Sequence, residues 1–141
     1  MTPKACVFCE IVAGRTSAHV VYEDEEWFAF LDIRPLFPGH TLLVPKEHHE
    51  AIWDLPDDLA QELTSRVQRV SVAVRDAMGA DGIFNAANNI VSQSVPHLHV
   101  HVVPRVRRDG LRGFFWPRTK YASDDEAAAV AQRISAALPA P

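Results

Sequence analysis

The chain has 141 residues, a formal net charge of −4 and a hydrophobic fraction of 48%. This length is typical of one domain that buries enough apolar surface to fold without cross-links. Two cysteines are too few for a secreted disulfide scaffold and favour a reducing, cytoplasmic location. No apolar run reaches the roughly 20 residues of a membrane helix, and the acidic balance argues against general affinity for long nucleic acids.

Alternating apolar residues predict three short strands near the start of the chain. The first two are HVVYED (19–24) and WFAFLDI (27–33), joined by an acidic turn. The loop RPLFPG precedes the third strand, HTLLVPK (40–46). From Asp54 the apolar period changes to three and four residues, which predicts a long amphipathic helix that ends at Gly79.

The remaining elements complete the predicted fold. GIFNAAN (82–88) and HLHVHVVP (97–104) indicate two more strands, separated by the loop NIVSQS. Ser123 and Glu126 have capping-box spacing, which predicts the start of a C-terminal helix. The chain is therefore predicted to be a single α+β domain over residues 1–141, with a mainly antiparallel sheet, one long helix and a C-terminal helix.

Three histidines, His97, His99 and His101, alternate with apolar residues in the last predicted strand. Alternation directs the rings to one face of the sheet and the apolar residues between them toward the long helix. The outer two rings would be about 13 Å apart, so one metal ion cannot bind all three, although two could share one. Imidazole attacks phosphorus, and imidazolium neutralises phosphate charge. The row therefore favours phosphate chemistry with no metal ion in the chemical step, and His40 is a candidate fourth ring.

A basic and aromatic segment, within the tail 105–141, follows these histidines. It suggests a small anionic ligand or an acidic partner. From the residues alone two interpretations are open: ordinary packing with solvated arginines, or a surface for single-stranded nucleic acid. The residues concerned are Arg105, Arg107, Arg108, Arg112, Arg118, Lys120, Phe114, Phe115 and Trp116.

Cys6 and Cys9 form a C-x-x-C motif near the N-terminus. A redox motif with this spacing belongs between a strand and a helix of a βαβ unit, which the sequence does not predict here. As half of a zinc site the pair needs two further ligands, and the segment KEHH offers His48 or His49.

The segment QSVPHLHVHVVPR carries the His-φ-His-φ-His-φ-φ signature and resembles the histidine-triad (HIT) family. VYEDEEWFAFLDIRPLFPGHTLLVPKEH is similar to the N-terminal block of that family. Because the third histidine is retained, the chain resembles the Hint/Fhit side. The resemblance implies a five-stranded antiparallel sheet, a homodimer, and hydrolysis or transfer of nucleoside monophosphates through a covalent nucleotidyl-histidine.

The resemblance also implies roles for individual residues. His99 would be the nucleophile and His101 a phosphate contact, while His97 would fix the geometry and His40 would complete a relay. The substrate would be bound by Asp32 at the ribose, Phe30 and Ile33 at the base, and Asn88, Gln93 and Ser94 near the phosphate and leaving group. For Phe30 and Ile33, strand packing is an equal alternative. Because family members often have a tryptophan after the motif that borders the active site, the resemblance also implies packing of the aromatic tail residues beside the substrate, which is the interpretation of the tail that we favour. Similar bacterial members imply a structural zinc held by Cys6, Cys9, His48 and His97.

One segment departs from the family pattern. Members usually carry a stretch of the type N-x-G-x-x-A-G-Q, whereas NNIVSQ places Ser92 where a glycine is usual. Either Asn88 or Asn89 could match the asparagine, and we favour Asn88. Glycine lets backbone amides approach phosphate closely, so the shape of the leaving-group pocket is expected to differ.

The expected function is that of a nucleotide phosphoramidase or nucleotidyl hydrolase. It would act at the α-phosphorus of a purine nucleotide or nucleotide conjugate. Dinucleoside polyphosphate hydrolysis is the nearest alternative. A non-catalytic nucleotide-binding adaptor is a third interpretation, which the intact row of histidines disfavours.

Overall fold

Five strands form one antiparallel sheet in the computed structural model, which describes residues 6–112 and 119–140. The strands lie side by side in the order β1-β2-β3-β5-β4. This arrangement confirms the predicted α+β class and the five-stranded sheet. The strands are β1 (Val20–Glu23), β2 (Trp27–Leu31), β3 (Thr41–Pro45), β4 (Gly82–Ala86) and β5 (Val100–Arg105); the helices are α1 (Val7–Val12), α2 (Asp57–Met78) and α3 (Asp124–Ala136), with a 3-10 turn at Ile52–Asp54.

The sheet is covered on two faces, and β2 contributes to both. Trp27 and Ala29 belong to the buried cluster that contains residues of α2, whereas Phe28 and Phe30 belong to a cluster with residues of α1. All four are buried, as the apolar run WFAF requires when neither face of a strand meets water. The long helix and the N-terminal segment therefore lie on opposite faces.

The long helix α2 confirms the boundary predicted from the sequence. It ends at Met78, and Gly79 adopts the left-handed conformation (φ 60°) that terminates many helices. Val70 and Val74 of α2 pack with the apolar residues that alternate with the three histidines. The histidines consequently face away from α2, as predicted.

Two local features differ from the prediction. The segment Val7–Val12, for which no element was expected, forms α1. The last strand begins at Val100 rather than His97. The Leu98 amide donates to the carbonyl of His49, which lies in a loop, so the chain before Val100 follows that loop and not a strand.

Gly39 places His40 immediately before β3. Its φ of 97° is unfavourable for other residues, and a Cβ there would lie 2.6 Å from Cγ of Met78. Only glycine lets the loop after β2 turn this close to the end of α2. His40 then enters the sheet in a fixed position.

The described residues divide after Asp109 into two compact units. The second unit contains α3, whose predicted cap is present because Ser123 Oγ accepts from the Glu126 amide at 3.1 Å. No helix in residues 6–112 and 119–140 has the length and apolarity needed to cross a membrane. That the whole chain is one domain stays a prediction.

Candidate active site and metal centre

Four histidine rings cluster on the face of the sheet that α2 does not cover. The ring of His101, in β5, lies 5.1 Å from that of His99 and 5.1 Å from that of His40, measured between centroids. His97, His99 and His40 are each at most 3% exposed. The row predicted from alternation is thus a buried group of imidazoles rather than a set of solvated surface side chains.

A hydrogen bond fixes the protonation of the His99 ring. Its Nδ1 lies 2.8 Å from the backbone carbonyl oxygen of His97. A carbonyl can only accept, so Nδ1 carries the hydrogen, and in the neutral ring Nε2 keeps its lone pair. Nε2 is therefore the atom of His99 that can act as a nucleophile.

His40 and His101 are joined by a second ring contact. His40 Nε2 lies 2.9 Å from His101 Nδ1 and 3.7 Å from a carboxylate oxygen of Asp32. Burial lowers the pKa of both rings, to about 4 for His101. Both are neutral at pH 7, and the amide of Leu36 donates to His40 Nδ1 at 3.0 Å.

A cavity of about 270 Å³ opens onto His99 and His101. Of the residues predicted to bind substrate, the structure brings Asp32, Phe30, Ile33 and Ser94 to its wall. Phe30 is buried, but Ile33 is 85% exposed, so strand packing does not account for Ile33. A larger groove of about 390 Å³ lies between α2 and β4, on the other side of the sheet, and contains no histidine.

Asn88 and Gln93 do not line this cavity but brace the loop before β5. The amide of Asn88 donates to the carbonyl of Ser92, and that of Gln93 donates to the carbonyl of Glu50. Ser92, at the position of the usual glycine, has the left-handed φ of 63°, and Ile90 has a φ of 72°. The loop thus keeps a glycine-like path without glycine. The substrate roles of Asn88 and Gln93 stay predictions.

Helix α1 forms a wall of the cavity that the sequence did not predict. Val7, Phe8 and Ile11 line it. The Phe8 ring contacts those of His99 and Phe30 edge-on, with centroids 5.1 and 5.3 Å apart. The spacing of these three apolar residues within one helical turn was the only local signal for a helix. That the helix lies against the cavity depends on the cysteines beside it.

Cys6, Cys9, His48 and His97 converge beside the buried group of imidazoles, with their ligand atoms all within 4.8 Å of one another. His97 Nδ1 lies 3.4 and 3.5 Å from the two sulfurs, and His48 Nδ1 lies 3.2 Å from Cys9 Sγ. Tetrahedral zinc with bonds of about 2.3 Å to sulfur and 2.0–2.1 Å to nitrogen needs sulfur–nitrogen distances of about 3.6 Å. The four residues fit a zinc ion.

The protonation of His97 also fits metal binding. Its Nε2 lies 2.8 Å from the carbonyl oxygen of Pro45, so Nε2 carries the hydrogen and the Nδ1 lone pair faces the sulfurs. Burial lowers the pKa of His97 to about 4 and also lowers that of His48, which keeps both rings neutral. His49, the other histidine considered, lies outside the cluster and is 13% exposed.

The basic segment is partly neutralised where the structure describes it. Arg105 pairs with both carboxylate oxygens of Asp109, at 2.5 and 2.9 Å. Four residues of the predicted patch, Phe114, Phe115, Trp116 and Arg118, lie outside the described residues. The proposed packing of the aromatic residues beside the substrate stays a prediction.

The fold and the site together define a small α+β protein with a histidine-lined cavity and a cluster of two cysteines and two histidines that fits a zinc ion. The HIT domain profile matches residues 13–108. The chain therefore belongs to the HIT family, as its resemblance implied.

Individual relatives extend this similarity over nearly the whole chain. A HIT family protein of Bacillus subtilis superposes with a TM-score of 0.88, at 33% identity over 98% of this chain and 100% of that one. A zinc-bound histidine triad protein of Mycobacterium smegmatis superposes with a TM-score of 0.72, at 38% identity over 94% of this chain and 97% of that one. The adenosine 5'-monophosphoramidase of Schizosaccharomyces pombe is 32% identical over 95% of this chain and 98% of its own length.

Proposed function

We propose that the protein is a nucleotide phosphoramidase or nucleotidyl hydrolase that works through a covalent nucleotidyl-histidine. The observation that carries this proposal is the lone pair of His99 Nε2, because the His97 carbonyl holds the ring hydrogen on Nδ1. This nucleophile belongs to a residue that lines a cavity large enough for part of a nucleotide. The similarity to an adenosine 5'-monophosphoramidase supports the same class of substrate.

The reaction proceeds in two steps at the α-phosphorus. In the first, a bond forms between His99 Nε2 and phosphorus while the bond from phosphorus to the leaving group breaks. In the second, water attacks phosphorus and breaks the Nε2–phosphorus bond. Over the cycle the hydroxyl of one water goes to phosphorus and its other hydrogen to the leaving group.

The other residues bind and orient the nucleotide. The carboxylate of Asp32 accepts from the ribose hydroxyls, and Phe30 and Ile33 contact the base. Ser94, on the cavity wall, donates to the phosphate or the leaving group. We propose a purine nucleotide or nucleotide conjugate as the substrate.

Rapid-quench mass spectrometry of the intact protein with an adenosine phosphoramidate tests this function. We expect a transient adduct with the mass of AMP in the wild type and none in His99→Ala. His19→Ala, which changes an exposed histidine just before β1, is the matched control and should form the adduct. No adduct and no turnover in the wild type, with a probe shown to bind, would contradict the enzymatic proposal.

The same purified protein distinguishes this function from two alternative functions. A diadenosine polyphosphate hydrolase would cleave a polyphosphate with a higher kcat/KM than the phosphoramidate. A nucleotide-binding adaptor would bind AMP without turnover. The hydrogen bond at His99 Nδ1 favours an enzyme over an adaptor, because it leaves a lone pair on Nε2 that a nucleophile requires and a binding module does not.

We propose that zinc binds Cys6, Cys9, His48 and His97 as a structural ion. Four protein ligands leave no position for substrate, so bound zinc would supply a cross-link between the N-terminal segment and the sheet. The chemical step then uses histidine alone. His97 contributes its ring to the metal and its backbone carbonyl to His99.

We propose a cytoplasmic homodimer. Strand β4 is an edge of the sheet, and it pairs with β5 on one side. Val72, 43% exposed, and the half-buried Ile83 lie at the neighbouring groove between α2 and β4. An edge strand beside an apolar groove supports a dimer that continues the sheet.

A further inference from the structure

His40 and His101 can share their protons in two ways. Their contacting atoms, His40 Nε2 and His101 Nδ1, lie 2.9 Å apart. Either His40 donates to His101, or His101 donates to His40. The two arrangements differ at the far edge of the His101 ring: the first leaves an N–H at Nε2 and the second leaves a bare lone pair there.

The backbone amide of Leu36 distinguishes these arrangements. Its nitrogen lies 3.0 Å from His40 Nδ1. An amide nitrogen donates and does not accept, so Nδ1 accepts and the single hydrogen of the neutral ring is on Nε2. In the opposite arrangement the hydrogen is on His40 Nδ1. That N–H would then face the N–H of the Leu36 amide in a buried site, and neither would have an acceptor.

Asp32 favours the same arrangement from a different direction. One of its carboxylate oxygens lies 3.7 Å from His40 Nε2. The other accepts from the Arg34 amide at 2.9 Å, which holds the carboxylate in place. A negative charge stabilises an N–H beside it and repels a lone pair.

We propose that the Leu36 amide is a positioning group that makes His101 a hydrogen-bond donor through Nε2, directed at the phosphoryl group beside His99. This inference rests on the proposed function and deepens it. The Leu36 amide acts through His40, and it complements the His97 carbonyl, which makes His99 the nucleophile. An N–H directed at the phosphoryl oxygens stabilises their charge in the transition state, whereas a lone pair would repel it.

The same reasoning disfavours a second metal site. Ligand atoms of Asp32, His40 and His101 also lie within 4.8 Å of one another. A metal at His40 Nε2 would require an unprotonated Nε2 and hence a hydrogen on Nδ1, facing the Leu36 amide. Instead, His40 donates a hydrogen bond to His101, and the Asp32 carboxylate lies 3.7 Å from the same His40 nitrogen.

Replacing the Leu36 amide by an ester tests the proposal. Incorporation of the α-hydroxy acid analogue of leucine at position 36 exchanges N–H for oxygen and keeps the side chain. The same exchange at Phe37, the next amide along the loop, is the matched control. The full-length protein, purified in the presence of zinc, is labelled with ¹⁵N-histidine, and long-range NMR correlations locate the hydrogen on each ring.

In the wild type we expect the His40 hydrogen on Nε2. In the Leu36 ester a measurable share should move to Nδ1, because Asp32 alone then favours Nε2, and kcat should fall severalfold in proportion to that share, with a much smaller change in KM. The Phe37 ester should keep the hydrogen on Nε2. A wild-type His40 with its hydrogen on Nδ1 would overturn the proposal, as would a Leu36 ester in which either the ring hydrogen or kcat is unchanged. The NMR readout does not depend on turnover, so the positioning claim and the proposed function can fail separately.

Discussion

Replacing Ser92 by glycine should stabilise the protein. Ser92 has a φ of 63°, in the region where a non-glycine residue costs roughly 1–2 kcal/mol. Glycine removes that cost but adds roughly 0.5–1 kcal/mol because it is more flexible in the unfolded chain. The Ser92 side chain is exposed, so little packing is lost. The expected net gain in the free energy of unfolding is about 0.5–1 kcal/mol.

Urea denaturation with an unchanged m-value measures this gain. For a chain of this length the melting temperature should rise by about 2–4 °C. Ser92→Ala is the matched control, because it removes the hydroxyl and keeps the unfavourable φ. The carbonyl that accepts from Asn88 belongs to the backbone and is present in all three proteins.

A Ser92→Gly protein no more stable than Ser92→Ala would contradict this expectation. The serine hydroxyl, rather than the backbone conformation, would then determine the stability of the loop. If Ser92→Gly raises the free energy of unfolding and Ser92→Ala does not, the left-handed backbone conformation at Ser92 is a source of strain in the native loop.

Three further outcomes are expected. Asp24→Asn should lower the free energy of unfolding by about 1–3 kcal/mol at pH 7, because Asp24 accepts from Arg66 and from two backbone amides. Desolvation raises the pKa of Asp24, but hydrogen bonds from the Tyr22 hydroxyl, from Arg66 and from the two amides outweigh it and lower the pKa to about 2. The difference in stability should therefore vanish as the pH falls from about 4 toward 2; Glu25→Gln is the exposed control. Zinc at 100 times its Kd should raise the free energy of unfolding of the wild type by about 2.7 kcal/mol. The Cys9→Ser protein should bind less than one zinc ion per chain by metal analysis, and zinc should not stabilise it by this amount. The zinc-free protein should lose stability as the pH falls from about 6.5 to about 4, because His97 takes up a proton in the unfolded chain before it does so in the folded protein. The buried ring of His97 should contribute a loss of up to about 1.4 kcal/mol per pH unit. Urea denaturation measured across this pH range without such a slope would contradict a neutral, buried His97 ring.

The parts of the fold predicted from the sequence are those determined by local periodicity. The alternation HLHVHVV identified the histidine face, and the three- and four-residue spacing after Asp54 identified α2 with its end at Gly79. Both patterns depend only on which side of an element meets the core. They could therefore be interpreted without knowledge of the partner element.

The parts that were missed depend on contacts between distant segments. Helix α1 is six residues long, too short to stand out by its period, and it packs next to His97 through Cys6 and Cys9. The late start of β5 follows from a hydrogen bond between Leu98 and His49. The Leu36 amide has no sequence signal at all, because every residue except proline carries the same group.

The two faces of the sheet have consequences for how this protein can vary. Residues toward α2, such as Val70 and Leu98, are buried in an apolar cluster, so side chains of similar volume could replace them with small losses of stability. On the opposite face, main-chain atoms determine the state of three imidazoles, those of His40, His97 and His99, and among single substitutions only a proline at position 36 would remove one of these main-chain groups. Sequence drift can therefore remodel the interior while the reactive nitrogens keep their orientation, provided that the path of the backbone is preserved.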